Sequence, residues 1–447
     1  MAVRFTRAQT TATNRQKFTL SMWVKRGVLD IQENIFGSHA SGSDEIQMQF
    51  NGDDQLYFLN YPTTTEGELK TTARFRDSAA YYNIVIAGDT TQAVAADRLK
   101  VYINGSQIDS ANNGFATDTY PPQNNNFAFG TASYTFVIGT SSPTNTNDPF
   151  TGLMSYVAFV DGTAYDASYF GETDASSGIW KIKTAPSVTY GNNGFYLKMD
   201  TATPTADSSG NDNTFTSNGT PTLTQDNPSN VFCVANPVDN YYPGYTFQNA
   251  NTTSVTGSNY SYNQMGMYLN KGKWYWECKV VSKGGGGDEY MIGIQGKSVT
   301  ATNSPAQNNY GYTIYATDGD VYAHSVGTTS YGSAYTAGDI IGVALDCTNN
   351  KLYWSKNGVW MGSGDPSAGT NGFSIVGATT VPQGGYSPVA GFYSSNGATF
   401  NWNFGNGFFG TTQVTSSNAD AAGYGLMEYA VPTGFYTICT KNLNTYG

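Results

Sequence analysis

Apolar residues recur at alternate positions along most of this chain and almost nowhere at helical spacing, so strands are the elements to expect. FTLSMWV (Phe18–Val24) puts Phe18, Leu20, Met22 and Val24 on one face. EIQMQF (Glu45–Phe50) sets Ile46, Met48 and Phe50 against Glu45, Gln47 and Gln49. YNIVIA (Tyr82–Ala87) and LKVYI (Leu99–Ile103) follow, and Asn104-Gly105 supplies the two positive-φ residues of a tight hairpin. GLMSYVAFV (Gly152–Val160) is apolar at both parities, as a strand covered on both faces would be. The second half repeats the signal in GKWYWECKVV (Gly272–Val281) and DIIGVALDCTNNKLYWSKNGVWMG (Asp339–Gly362). The latter reads as two strands, an Asn357-Gly358 hairpin and a short return strand, and FNWNFG (Phe400–Gly405) closes the set. Trp274, Trp276, Trp354 and Trp402 lie within these strands and are expected in the core.

Thr201–Asn230 is rich in Thr, Asn, Ser, Gly and Pro and nearly free of apolar periodicity, which reads as a connector pinned in part by Phe215 and Leu223. The predicted class is all-β, two antiparallel, jelly-roll-like β-sandwiches in series plus a small C-terminal appendage. The spans are 1–200, a connector 201–235, 236–405 and an appendage 406–447, with the boundary within roughly ten residues of Thr220, where Pro221 interrupts any strand. Leu426, Met427, Phe435 and Ile438 are the apolar anchors expected to pack the appendage.

Composition narrows the chemistry. The 447 residues are long enough for two or three domains, and 51 glycines and 33 tyrosines with 14 % aromatics read as folded, turn-rich β-structure. A net charge of −11, with no basic run, argues against nucleic acid. No stretch approaches the roughly 18 apolar residues of a membrane span, and MAVRFTRAQTTATNRQ has no apolar core of a signal peptide. Cys233, Cys278, Cys347 and Cys439 have no metal-binding spacing and read as small buried hydrophobes.

Catalysis finds no constellation. His39 and His324 sit in no metal or nucleophile motif, GxSxG and HExxH are missing, and KGGGGD (Lys283–Asp288) leads to no helix. Adjacent Asp44 and Glu45 would point to opposite faces of a strand, unlike the paired carboxylates of a glycanase. The expected catalytic set is therefore none. Calcium is the one cofactor the acids allow, with Asp53, Asp54, Asp89 and Asp148 as candidate ligands. Tyr241, Tyr242, Tyr245, Tyr310, Tyr312, Tyr331 and Tyr335 fall among Gly, Ser and Asn, the composition of recognition loops, and are the candidate ligand- or partner-binding residues.

Lys271–Gly405 resembles a SPRY domain from end to end, on the GKWYWECKVV, DIIGVALDCTNNKLYWSKNGVWMG and FNWNFG motifs. The resemblance implies a β-sandwich that binds partners through its loops and catalyses nothing. From Phe5 to Met199, the order of FTLSMWVK, YYNIVIAGD, LKVYINGSQI and FTGLMSYVAFVDG resembles a concanavalin-A-like jelly roll of the laminin-G type. Such domains often bind Ca²⁺ near a sandwich rim. The opening FTRAQ…NRQKFTLSMWVKRG, the junction DSSGNDNTF…DNPSNVFCVANP and the ending VPTGFYTICTKNL are similar to structural proteins predicted in marine bacteriophages.

Together these readings lead us to expect a virion adhesin, a tail fibre or similar appendage, assembled in the host cytoplasm. Its expected partners are a host cell-surface glycan or protein and other virion proteins, as a homo-oligomer without membrane insertion. The alternative is a structural virion protein, for capsid decoration or as a connector. A soluble eukaryotic SPRY adaptor is disfavoured by the phage-like start and end.

Overall fold

The computed structural model describes residues 3–40, 44–109, 114–144, 147–200, 202–238, 245–256, 261–283, 289–297, 305, 309–323, 327–392 and 397–447. The chain forms two compact units, Met1–Leu223 and Thr224–Gly447. Each unit is built mainly of antiparallel sheets, and the class is all-β.

In the first unit, an eight-stranded sheet runs in the order Phe115–Thr119, Gly67–Arg74, Gln55–Pro62, Asp44–Phe50, Glu33–His39, Thr135–Ile138, Arg4–Ala8 and Thr216–Asn218. A six-stranded sheet runs Phe195–Leu197, Leu153–Asp161, Lys17–Lys25, Tyr82–Asp89, Leu99–Ile103 and Ser106–Ile108. The alternation read in the sequence sets the facing sides. Phe18, Leu20, Met22 and Val24 share one core with Ile46, Met48 and Phe50, and with Phe127, Phe136 and Phe159. At Gly88 a Cβ would fall 2.5 Å from the Phe18 ring and 2.6 Å from that of Phe127, so the packing there requires glycine. Asn104 and Gly105 take φ of +48° and +82° and turn the predicted hairpin.

The strand Leu153–Asp161 is covered on both faces, as its double-parity apolar pattern implies. Val157 and Phe159 enter the main core, while Ala158 and Val160 join Val85, Phe170 and Tyr196 in a second cluster on the other side of the sheet. A bulge between Ser155 and Ala158, with Tyr156 at φ +52°, interrupts its pairing with Lys17–Lys25.

The segment expected as a connector is folded at both ends. The Asp207 carboxylate accepts backbone N–H bonds from Tyr196, Ser209 and Asn213, each at 2.8 Å. Phe215 is buried against Phe195, and Thr216–Asn218 pairs with Arg4–Ala8. Farther on, the Cys233 N–H donates to the Ile438 carbonyl and the Ala235 N–H to that of Asn251, inside the second unit. Leu223, expected as an anchor, is exposed. Side-chain to backbone hydrogen bonds order this polar sequence without apolar periodicity, which is why hydropathy does not reveal it.

In the second unit the longer sheet runs Tyr245–Gln248, Thr253–Thr256, Ala398–Asn403, Lys273–Lys283, Ile340–Asp346, Lys351–Lys356 and Val359–Trp360, and Phe373–Ser374 also pairs with Lys351–Lys356. Facing it are Ser261–Gln264, Ser387–Phe392, Tyr290–Gln295, Gly311–Tyr315, Val321–Ala323 and Gly327–Thr329. Trp274, Trp276, Trp354 and Trp402 are fully buried. The Trp354 indole N–H donates to the Ile292 carbonyl at 3.0 Å and that of Trp402 to Ser254 Oγ at 3.1 Å. All four cysteines are buried, and no disulfide joins them.

The tail beyond Gly405 is part of this unit. Met427 and Phe435 pack on Tyr275, Ala344 and Tyr353, residues of the long sheet that point away from the tryptophan core. Tyr436–Thr437 adds a strand parallel to Lys273–Lys283, and Ile438 enters the main core. A tail with apolar anchors spaced this widely reads as an appendage in sequence. In three dimensions it covers a sheet face that would otherwise expose tyrosine and apolar surface to water.

Candidate functional site

The candidate tyrosines part company in the structure. Tyr241 and Tyr242 lie outside the described residues, as does His324. Tyr245 is buried and donates its hydroxyl to the Ala390 carbonyl at 3.0 Å. Tyr312 and Tyr335 are each 2 % exposed, and the Tyr335 hydroxyl donates to the Ile314 carbonyl at 3.0 Å. These three are packing residues, contrary to the loop reading. Their Gly- and Ser-rich neighbours gave them the look of loop tyrosines, but each ring fills space between the sheets. Tyr310 is half-buried, with φ +68°, and rests on the same core.

Among the described candidates, Tyr331 lines an open groove, of about 550 Å³. Its walls are Thr329, Ser330 and Tyr331 on one side and Gly362 with Asn371–Ser374 on the other. The first wall follows the edge strand Gly327–Thr329. The second is the loop after the Asn357-Gly358 hairpin, turned by Gly362, Ser363 and Asn371 at φ of +60°, +54° and +55°. Phe373–Ser374 then pairs back onto Lys351 and Leu352, so this wall is fixed to the sheet.

Tyr331 and Phe373 stand edge-on to buried Trp354, with ring centroids 5.5 and 6.4 Å from it. The Tyr331 hydroxyl donates to the Asn371 carbonyl at 3.3 Å and joins the two walls. A Cβ on Gly362 would fall 2.9 Å from the Tyr331 ring, and one on Gly372 would fall 2.4 Å from the Tyr353 ring. Glycine at both positions lets the loop backbone lie flat against aromatic faces. Burial pushes the Tyr331 phenol above its ordinary pKa, so it stays a neutral donor near pH 7. No lining residue is charged. The result is a floor of two aromatic rings between hydroxyl, amide and backbone groups.

The calcium candidates do not converge. Asp54 is fully buried and held by Arg26 Nη2 at 3.1 Å and Arg76 Nε at 2.8 Å. Asp53 faces Arg74 at 3.6 Å, and Asp89 pairs with Lys17 at 3.1 Å. Burial disfavours the charge on Asp89, but hydrogen bonds from Thr91, Gln92 and Lys17 outweigh it and hold its pKa below the ordinary value. Asp148, at φ +50°, accepts from Gln32 Nε2 at 3.2 Å. Among the described residues no three His, Cys, Asp or Glu side chains gather as metal ligands would. Arg26 explains the discrepancy at Asp54. Its guanidinium is buried over the Phe50 ring at 4.2 Å and is shared between Asp54 and Glu33. Burial pushes the Glu33 carboxyl up, and Arg26 and Thr151 oppose that rise.

One buried group has a role that sequence reasoning missed. Glu277 lies opposite Trp274 and Trp276 in the strand alternation, the one acid of its strand and directly after three aromatic residues, which is the signal that could have found it. Its Oε1 accepts from the Tyr429 N–H at 2.8 Å and the Tyr275 hydroxyl at 3.1 Å. Its Oε2 accepts from the Glu428 N–H at 2.9 Å and Asn403 Nδ2 at 3.2 Å. Burial raises its pKa from 4.5 to about 7, and these four bonds oppose the rise. Glu277 thus fastens the C-terminal cover to the sheet. In the first unit, Glu45 stands directly across from His39 in the sheet, and burial pushes its carboxyl up against the opposing pull of that histidine.

Comparisons with known proteins agree with the two sandwiches. Residues 2–167 match the concanavalin A-like lectin/glucanases superfamily, laminin G type, and residues 273–406 match the SPRY domain. The chain therefore carries a laminin-G/concanavalin-A-like domain followed by a SPRY domain. Over 110 residues it is 32 % identical to Ran-binding protein 9 of Danio rerio, covering 24 % of this chain and 18 % of the relative. Ran-binding protein 9 of Homo sapiens is 33 % identical over 110 residues, covering 24 % of this chain and 15 % of the relative. The chain thus spans less than a fifth of the length of either relative. Among solved structures, the SPRY domain of human HERC1 is 19 % identical with a TM-score of 0.27, covering 34 % of this chain and 86 % of that one. The SAP-like pentraxin of Limulus polyphemus is 15 % identical with a TM-score of 0.27, covering 37 % of this chain and 77 % of that one.

Proposed function

We propose that this protein is a non-catalytic recognition protein of a bacteriophage virion, an adhesin on a tail fibre or similar appendage that holds a host-surface glycan or protein. The observation that carries the reading is the Tyr331–Phe373 groove, an aromatic floor with uncharged polar walls on a rigid SPRY frame. Aromatic rings supply large, stiff contact area, and hydroxyl and amide walls supply adaptable hydrogen bonds. The virion assignment is supported by the opening, junction and ending that resemble marine phage structural proteins. The relatives named as Ran-binding proteins support a protein-interaction role.

The test is adhesion of fluorescently labelled full-length protein to host cells, beside immunogold labelling of released particles. Tyr331→Ala is expected to reduce cell binding at least tenfold, with gold at the particle's appendages. Undiminished cell binding by the folded variant would overturn the groove's role. Gold distributed over the capsid, with no cell binding by the wild type, would favour the decoration role instead.

A further inference from the structure

Lys351 stands at the rim of this groove and differs from Lys273 and from Lys356 at the other end of its own strand. Lys273 pairs with Asp346 at 3.0 Å, and Lys356 with Asp339 at 3.3 Å. Lys351 Nζ instead donates to Ser374 Oγ at 2.9 Å and to the Gly372 carbonyl at 3.4 Å, both groups of residues that line the groove. Among the ion pairs of the described residues Lys351 has no carboxylate. Two neutral acceptors therefore fix an ammonium beside the groove, and one of its three donors is left over. Asp346, directly across the sheet from Lys351, is taken by Lys273.

We infer that the groove binds a carboxylate-bearing sugar, of the uronic acid class, within a longer polysaccharide. The inference rests on the recognition reading above and names its ligand. A pyranose ring lies against Tyr331 and Phe373, and its hydroxyls meet Thr329, Ser330 and Asn371. The carboxylate, carried at the edge of the sugar ring, reaches the remaining donor of Lys351. A charge-assisted bond of this kind is stronger than a neutral one, and Lys serves as a point charge with rotatable donors. An open groove suits a polymer that continues on both sides. A protein ligand fits less well, because apart from two rings the walls offer no enclosed apolar pocket for an anchoring side chain.

Calorimetric titration of the full-length protein with an oligogalacturonate and with its carboxyl-reduced counterpart tests this. The uronate is expected to bind at least tenfold more tightly than the reduced form. Lys351→Gln should bring the two within about twofold of each other, Lys351→Arg should keep most of the preference, and Tyr331→Ala should weaken both. Equal binding of the two saccharides by the wild type would overturn the inference. So would an unchanged preference in Lys351→Gln, or binding of neither saccharide. If neither binds while host-cell adhesion still depends on Tyr331, only the ligand assignment falls. If adhesion ignores Tyr331 as well, the groove reading falls with it.

Discussion

Glu277 makes the stability of the second unit depend on pH, with a sign opposite to that of an ordinary paired carboxylate. Its folded pKa is raised from 4.5 to about 7. Between those values the folded chain holds a proton that the unfolded chain has released, so stability falls as pH rises through the window. A tenfold difference in proton affinity is worth about 1.4 kcal/mol, so the loss between pH 5 and pH 8 comes to about 2–3 kcal/mol. Glu277→Gln removes the titration. The amide can place its NH₂ toward Tyr275, whose hydroxyl then turns to accept, but the Tyr429 N–H loses its acceptor, at about 1–3 kcal/mol. The variant should therefore be less stable than the wild type at pH 5, and the gap should shrink by about 2–3 kcal/mol by pH 8. Urea unfolding followed by tryptophan fluorescence reads this unit, since five of the seven tryptophans lie in it. Wild-type stability that rises from pH 5 to 8, or a slope that persists in Glu277→Gln, would refute the reasoning.

Tyr335→Ala should lower the thermal midpoint of the second unit sharply, by about 3–5 kcal/mol of stability, because the change empties a buried aromatic site. Tyr331→Ala, at the groove surface, should shift it far less, and scanning calorimetry separates the two. Arg26→Leu leaves Asp54 and Glu33 buried without their shared cation and should destabilise the first unit by about 3–5 kcal/mol, seen as an early separate transition in the same scans. Ending the chain at Gly405 uncovers Tyr275, Ala344 and Tyr353. The truncated protein should aggregate or bind a hydrophobic dye, where a soluble, cooperatively unfolding product would show that the cover is dispensable.

Much of the fold was legible in the sequence because period-two alternation is a local property. Phe18 through Val24, Ile46 through Phe50 and the four SPRY tryptophans reach the faces that the pattern assigns, and Asn104-Gly105 and Asn357-Gly358 make the expected turns at positive φ. Which polar and aromatic residues face solvent was not legible, because that depends on what the rest of the chain lays over them. Tyr312 and Tyr335 sit in stretches composed like recognition loops, yet the facing sheets close over them, while Tyr331, in the same stretch as Tyr335, comes out at a groove. Asp54 looks like a loop acid until Arg26, 28 residues away, folds onto it. Glu277 looks solvated until the chain 151 and 152 residues later delivers two backbone N–H groups to it. Alternation decides which side of a sheet a residue takes; long-range closure decides whether that side is wet, because burial and charge pairing are set by groups distant in sequence and adjacent only in space.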